Sequence, residues 1–118
     1  MKSMGVNDSK PATVLGDQAL AEIIRRLIEA YQPERIYLFG SRARGDTGMD
    51  SDYDLMVVVP DSAPPERQHG RLAYEVLRGT GTAADVLVWR RKAFESRLHL
   101  RASLPYTVTS EGRLLYAA

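Results

Sequence analysis

The chain has 118 residues, 44% apolar and 26% charged, a balance that suits one soluble globular domain and excludes two full ones. No apolar run approaches the ~20 residues of a membrane-spanning helix, and Met1 to Lys10 lacks the apolar centre of a secretory signal, so a cytoplasmic protein is expected. A net charge of +1 with no dense basic block argues against a nucleic-acid-binding tail, and the absence of cysteine excludes disulfides, thiol catalysis and thiolate metal sites.

Residues 1–12 are polar, carry Gly5, Asn7, Asp8 and Pro11, and show no period; they are expected as a flexible leader before a single domain over 13–118. From Asp17, an N-cap residue type, Leu20, Ile23, Ile24, Leu27, Ile28 and Tyr31 recur at helical spacing, and Pro33 ends this first helix. Arg35 to Phe39 reads as a short buried strand stopped by Gly40, and Tyr53 to Val59 as a second. Pro64-Pro65 opens a second helix that runs through Leu72, Val76 and Leu77 to Gly79. Ala84 to Trp89 is a third strand, and from Arg91 a helical stretch sets Phe94, Leu98 and Arg101 on one side until Ser103-Leu104-Pro105 breaks it. A short helix to Ser110, a turn at Glu111-Gly112 and a last strand over Arg113 to Tyr116 complete the chain. This order predicts an α+β two-layer fold, a small mixed sheet with helices packed on one face. Strand directions are not legible at this level.

The connection between the first two strands, Gly40 to Asp52, is long for so small a domain, and long connections are usually functional or disordered. It begins Gly40-Ser41-Arg42-Ala43-Arg44-Gly45-Asp46 and gathers backbone N–H groups, a hydroxyl and two guanidinium groups, a combination suited to phosphate. A glycine-punctuated surface turn with solvated arginines fits the same residues. Thirteen of the sixteen basic residues are arginine, which either reflects bidentate contact with phosphate or carboxylate or follows from coding bias.

The connection ends in Asp50-Ser51-Asp52-Tyr53-Asp54, carboxylates at alternate positions where a strand begins. Alternation places them on one face about 6.5 to 7 Å apart, within reach of a shared divalent ion or a bridged pair. A polar loop entering a strand accounts for Asp50, but it explains Asp54 poorly, because Asp54 runs directly into Leu55-Met56-Val57-Val58-Val59. A calcium loop counted from Asp50 would need Gly and Glu at its sixth and twelfth positions, where Leu55 and Asp61 stand, so that reading is excluded. Asp85 opens the third apolar strand and either joins these carboxylates or lies exposed at a sheet edge. His69 and His99 have no partner at metal-ligand spacing, so oxygen donors and a hard cation such as Mg²⁺ are favoured. Tyr37 and Tyr53 read as core or pocket wall, and Trp89 as core or a contact for a base.

Gly-Ser, ten residues, Asp-x-Asp in an apolar setting and a later Asp on a strand together resemble the DNA polymerase beta-like nucleotidyltransferase superfamily. Gly-Ser-Arg-Ala-Arg-Gly followed by Ser-Asp-Tyr-Asp-Leu, and the ending Glu-Gly-Arg-Leu-Leu-Tyr, look like its minimal nucleotidyltransferases over about Ile36 to Tyr116. The resemblance implies the polymerase beta-like nucleotidyltransferase fold, with ATP as substrate and two Mg²⁺ ions. Gly40 and Ser41 would hold the β- and γ-phosphates, with Arg42 and Arg44 either steadying the triphosphate or solvated. Asp52 and Asp54 would bind the metal pair, and Asp85 would complete the metal site and take the acceptor's proton. Asp50 stays outside this set, since only the Asp52 and Asp54 pair brackets an apolar residue before the valine run. Such proteins are typically antitoxins that pair with a small helical HEPN-type ribonuclease toxin and attach AMP to a toxin tyrosine, which implies a hetero-oligomer with that toxin. Two alternatives stand beside this one: a non-catalytic antitoxin that masks its partner, and a transferase acting on a small molecule held by a separate subunit. A polymerase is not expected, for the chain has neither room nor basic surface for a template duplex.

Overall fold

The computed structural model describes residues 18–40, 43, 53–81 and 83–118. The leader and the N-cap position Asp17 lie outside these residues. Helix α1 (Gln18–Tyr31) buries Leu20, Ile23, Ile24, Leu27 and Tyr31, the face that the spacing of apolar residues predicts. It closes at Gln32, whose left-handed backbone (φ 47°) lets its N–H bond to the Ile28 carbonyl at 2.9 Å, and Pro33 prevents continuation.

Four strands form one mixed sheet in the order β3-β2-β1-β4. β1 (Arg35–Phe39) runs antiparallel to both β2 (Tyr53–Val59) and β4 (Arg113–Ala117), while β3 (Ala84–Arg90) is parallel to β2. The mixed sheet agrees with the sequence expectation, and the strand boundaries fall within a residue of it. β2 is central. Leu55, Met56, Val57, Val58 and Val59 are all fully buried, and each such side chain contributes about 1.5–3 kcal/mol by leaving water.

The helices depart from the expectation of a single covered face. Alternate β1 and β2 residues (Ile36, Leu38, Leu55, Val57) pack with α1 and with α2 (Arg71–Val76). The intervening residues Tyr37, Met56 and Val58 pack on the other face with Phe94 of α3 (Arg91–Ser96) and Val108 of α4 (Leu104–Glu111). A strand as apolar as β2 needs cover on both sides. The ring of Phe94 stacks on Tyr37 (centroids 5.7 Å) and meets the edge of Trp89 (6.5 Å), so Trp89 belongs to this second core.

The expected second helix is divided. Pro65–Arg67 forms a short 3-10 turn, and α2 starts only at Arg71. The buried Tyr31 hydroxyl explains the break, since it donates to the His69 carbonyl (2.6 Å) and accepts from the Ala73 N–H (2.8 Å), occupying an i, i+4 pair that a continuous helix would close itself. Burial raises the pKa of that phenol, partly offset by the Ala73 hydrogen bond. α3 is also shorter than expected: Phe94 is buried and Leu98 half-buried, but Arg101 lies exposed beyond the helix end.

Candidate active site

One end of the sheet brings together three of the residues singled out by sequence. Phe39, the last residue of β1, pairs across the antiparallel ladder with Asp54. The next residue, Gly40, has φ +77°, a conformation that side-chain-bearing residues rarely adopt. A Cβ placed there would overlap the Asp54 carboxylate. Gly40 is therefore required twice over, by its backbone conformation and by the close approach of main chain to carboxylate.

On the other side of β2, Asp54 is in register with Asp85 of β3. Registered neighbours in parallel strands face the same way, about 4.8 Å apart across the ladder, so both carboxylates leave the sheet on one side. Asp54 shares the face of Met56 and Val58 and is half-buried, held by β2 as it enters the core. Asp85 is exposed, because β3 is an edge strand whose residues alternate in exposure. Two like charges this close repel each other unless a cation lies with them.

Asp52 precedes Tyr53 in the sequence but lies outside the described residues, as do Ser41, Arg42, Arg44 and Asp50. Ala43, within the same connection, is buried against the α1-side core, and the Arg113 guanidinium donates to its carbonyl at 3.4 Å. Among the described residues no group of three metal-ligating side chains is gathered, so a third carboxylate would have to come from outside them, where Asp52 lies. His69 and His99 are exposed and in other parts of the chain. The available donors are carboxylate oxygens, which suit Mg²⁺, and their juxtaposition beside a glycine cradle fits a divalent ion.

Asp85 also borders a cleft beside α2, which the sequence reading passed over. Its lining comes from α2 with its flanking residues, Gly70 to Arg78, and from Ala83 to Val86 at the start of β3, and no one-dimensional pattern links those segments.

The fold is that of several solved structures. A candidate nucleotidyltransferase of Sulfolobus solfataricus superposes with TM-score 0.57 at 20% identity, over 98% of this chain and 90% of that one. A toxin–antitoxin structure with AMP-PNP gives 0.54 at 24% identity, over 82% and 73%. A mutant of the toxin–antitoxin MntA-HpeT, with two aspartates two positions apart changed to glutamate, gives 0.56 at 20%, over 83% and 73%. No curated protein matches the sequence. The nucleotidyltransferase domain profile matches residues 20–114, most of the 118, and the chain belongs to that family.

Proposed function

We propose that this protein is a Mg²⁺-dependent nucleotidyltransferase that moves AMP from ATP to a hydroxyl of a partner protein, a tyrosine of a HEPN-type toxin, and so acts as its antitoxin. The observation that supports this most is the Gly40 main chain set against the Asp54 carboxylate with Asp85 in register beside it. Phosphate oxygens would be bound by the main chain of Gly40 and Ser41, with Arg42 and Arg44 countering their charge. Asp52, Asp54 and Asp85 would hold the metal. When bound there, Mg²⁺ supplies neutralisation of the triphosphate and of the departing pyrophosphate. Asp85, exposed at the outer strand, would accept the proton of an arriving hydroxyl.

Two likenesses favour the partner. A similar fold occurs in a toxin–antitoxin structure with AMP-PNP. In the MntA-HpeT mutant the two altered aspartates have the spacing of Asp52 and Asp54 here. The test is intact-mass spectrometry of the co-expressed partner after incubation with ATP and Mg²⁺. AMP-sized additions with the unaltered protein, absent with Asp52→Ala or Asp54→Ala, are expected. Circular dichroism of both variants in metal-free buffer should match that of the unaltered protein, which separates loss of transfer from loss of fold. A partner that stays unmodified but is bound and silenced would replace this reading with one of masking.

A further inference from the structure

The cleft beside α2 lies on the α1 side of the sheet, across from the face on which the Asp54 and Asp85 carboxylates leave. It measures about 460 Å³, within the range of sites for one small molecule. Ala73, Leu77, Ala84 and Val86 give it an apolar lining, and Arg78 is the one basic residue among the described residues that line it. The wall is held in place from α1, as Arg26 donates to the Val76 carbonyl at 2.9 Å and to the Arg78 carbonyl at 3.4 Å.

Three features of the cleft are unused by the fold. Tyr74 is 73% exposed, more than any other large apolar side chain among the described residues, and its ring lies 5.6 Å from the Arg78 guanidinium. Arg78 makes no ion pair among the described residues. The third feature is main chain at the edge of the sheet. The Tyr53 N–H donates to the Ala83 carbonyl at 3.2 Å, so alternation along the parallel ladder turns the backbone groups of Ala83 and Asp85 toward β2. Those of Ala84 and Val86 then face the open edge, where no hydrogen bond reaches them among the described residues.

These features select the occupant. An added strand would satisfy the open edge, but the start of α2 stands in its path, for a Cβ on Gly70 would come within 2.8 Å of the Val86 carbonyl oxygen. What fits the remaining Ala84 carbonyl and Val86 N–H is a flat group with a donor and an acceptor side by side on one edge. A nucleobase has such an edge, and its faces stack on a tyrosine ring. One guanidinium matches one phosphate group rather than a triphosphate. The volume leaves room for a two-ring base with its sugar.

We infer that the cleft is a second binding site, for a purine nucleoside monophosphate. The base stacks on Tyr74 and bonds the Ala84 carbonyl and the Val86 N–H, and the phosphate pairs with Arg78. The two main-chain contacts flank Asp85, so the ligand grips the start of β3 by its outer edge. The site does not depend on adenylyl transfer, because its groups lie across the sheet from the Asp54 and Asp85 carboxylates.

The experiment titrates the isotope-labelled full chain, without metal, with AMP, CMP, adenosine and ribose 5-phosphate, and follows the amide signals. AMP should shift Gly70, Ala84 and Val86, with Val86 moving most because its N–H gains a partner. Adenosine should bind at least about tenfold more weakly, equivalent to one lost charge pair, and ribose 5-phosphate should leave these amides unmoved. CMP, which covers less of the Tyr74 ring, should bind more weakly than AMP. Tyr74→Ala and Arg78→Ala should each weaken AMP binding at least about tenfold while circular dichroism stays unchanged, as expected for exposed positions. Binding of adenosine, CMP or ribose 5-phosphate as tight as that of AMP, or AMP binding insensitive to either substitution, would overturn the assignment. Shifts confined to Phe39, Gly40 and Tyr53 would do the same by placing AMP at the Asp54 end of the sheet. No shift with AMP removes this site and leaves the transfer reaction standing, since mass analysis of the partner tests that reaction alone.

Discussion

β2 and β3 are neighbouring parallel strands of seven residues, each with aspartate at its second position, yet they live in different environments. From Leu55 onward β2 is fully buried, covered by α1 on one face and by Phe94 and Val108 on the other. β3 is exposed at every second position through Leu87, and Leu87 itself is 40% exposed. The difference lies in position rather than composition, since a strand with partners on both edges loses its backbone and both faces to the interior, while an edge strand keeps one side in water. Asp54 is therefore held at the margin of the core, while Asp85 lies exposed to water.

The contrast can be broken most strongly through the core. Leu55→Ala should lower stability by about 2–5 kcal/mol, and Leu87→Ala by about 0.5 kcal/mol or less, as measured by urea unfolding at neutral pH. Similar losses at both positions would mean that β3 is no open edge.

Gly40→Ala sharpens the comparison at the end of β1. It forces a side chain into the left-handed region and onto the Asp54 carboxylate, so a loss of about 1–3 kcal/mol is expected, with weakened Mg²⁺ binding read by isothermal calorimetry. An unchanged stability and metal affinity would remove Gly40 from the site.

Tyr31→Phe acts on the wall of the outer cleft. Without the hydroxyl, the His69 carbonyl and the Ala73 N–H lose their shared partner, for an expected loss of about 1–3 kcal/mol. Hydrogen exchange should accelerate first in α2, leaving β2 protected; uniform acceleration would show that wall and centre open together.

The smallest effect concerns acid. Glu22 bonds Arg25 at 2.7 Å and Arg26 at 2.8 Å, and those side-chain hydrogen bonds, Arg25 foremost, bring its carboxyl from the ordinary 4.5 down to about 2. A carboxyl depressed in the folded state stabilises above its unfolded pKa and loses that contribution as pH falls through the folded one. The difference in thermal midpoint between the protein and its Glu22→Gln variant should thus be fully present above about pH 4.5 and fade toward pH 2. The group is exposed, so the difference is small; one that grew on acidification would reverse the sign argued here.

The sequence by itself determined the order of the strands and helices along the chain and most of their bounds. Helical spacing in α1, the valine run of β2 and the stops at Pro33 and Gly40 are local signals, read correctly because neighbouring residues enforce them, whereas the helix ends expected at Gly79 and Ser103 come earlier, at Val76 and Ser96. Asp54 stood out because a charge leading into an apolar strand needs a reason. Tertiary structure alone decided the strand order and directions, the second covered face, the break before α2 and the distance closed between Gly40 and Asp54. It also decided that Asp85 lies in register with Asp54 and borders the cleft with Tyr74 and Arg78. These depend on contacts between residues far apart in the chain, where strand pairing and the Tyr31 hydroxyl select among arrangements that local propensity leaves equivalent.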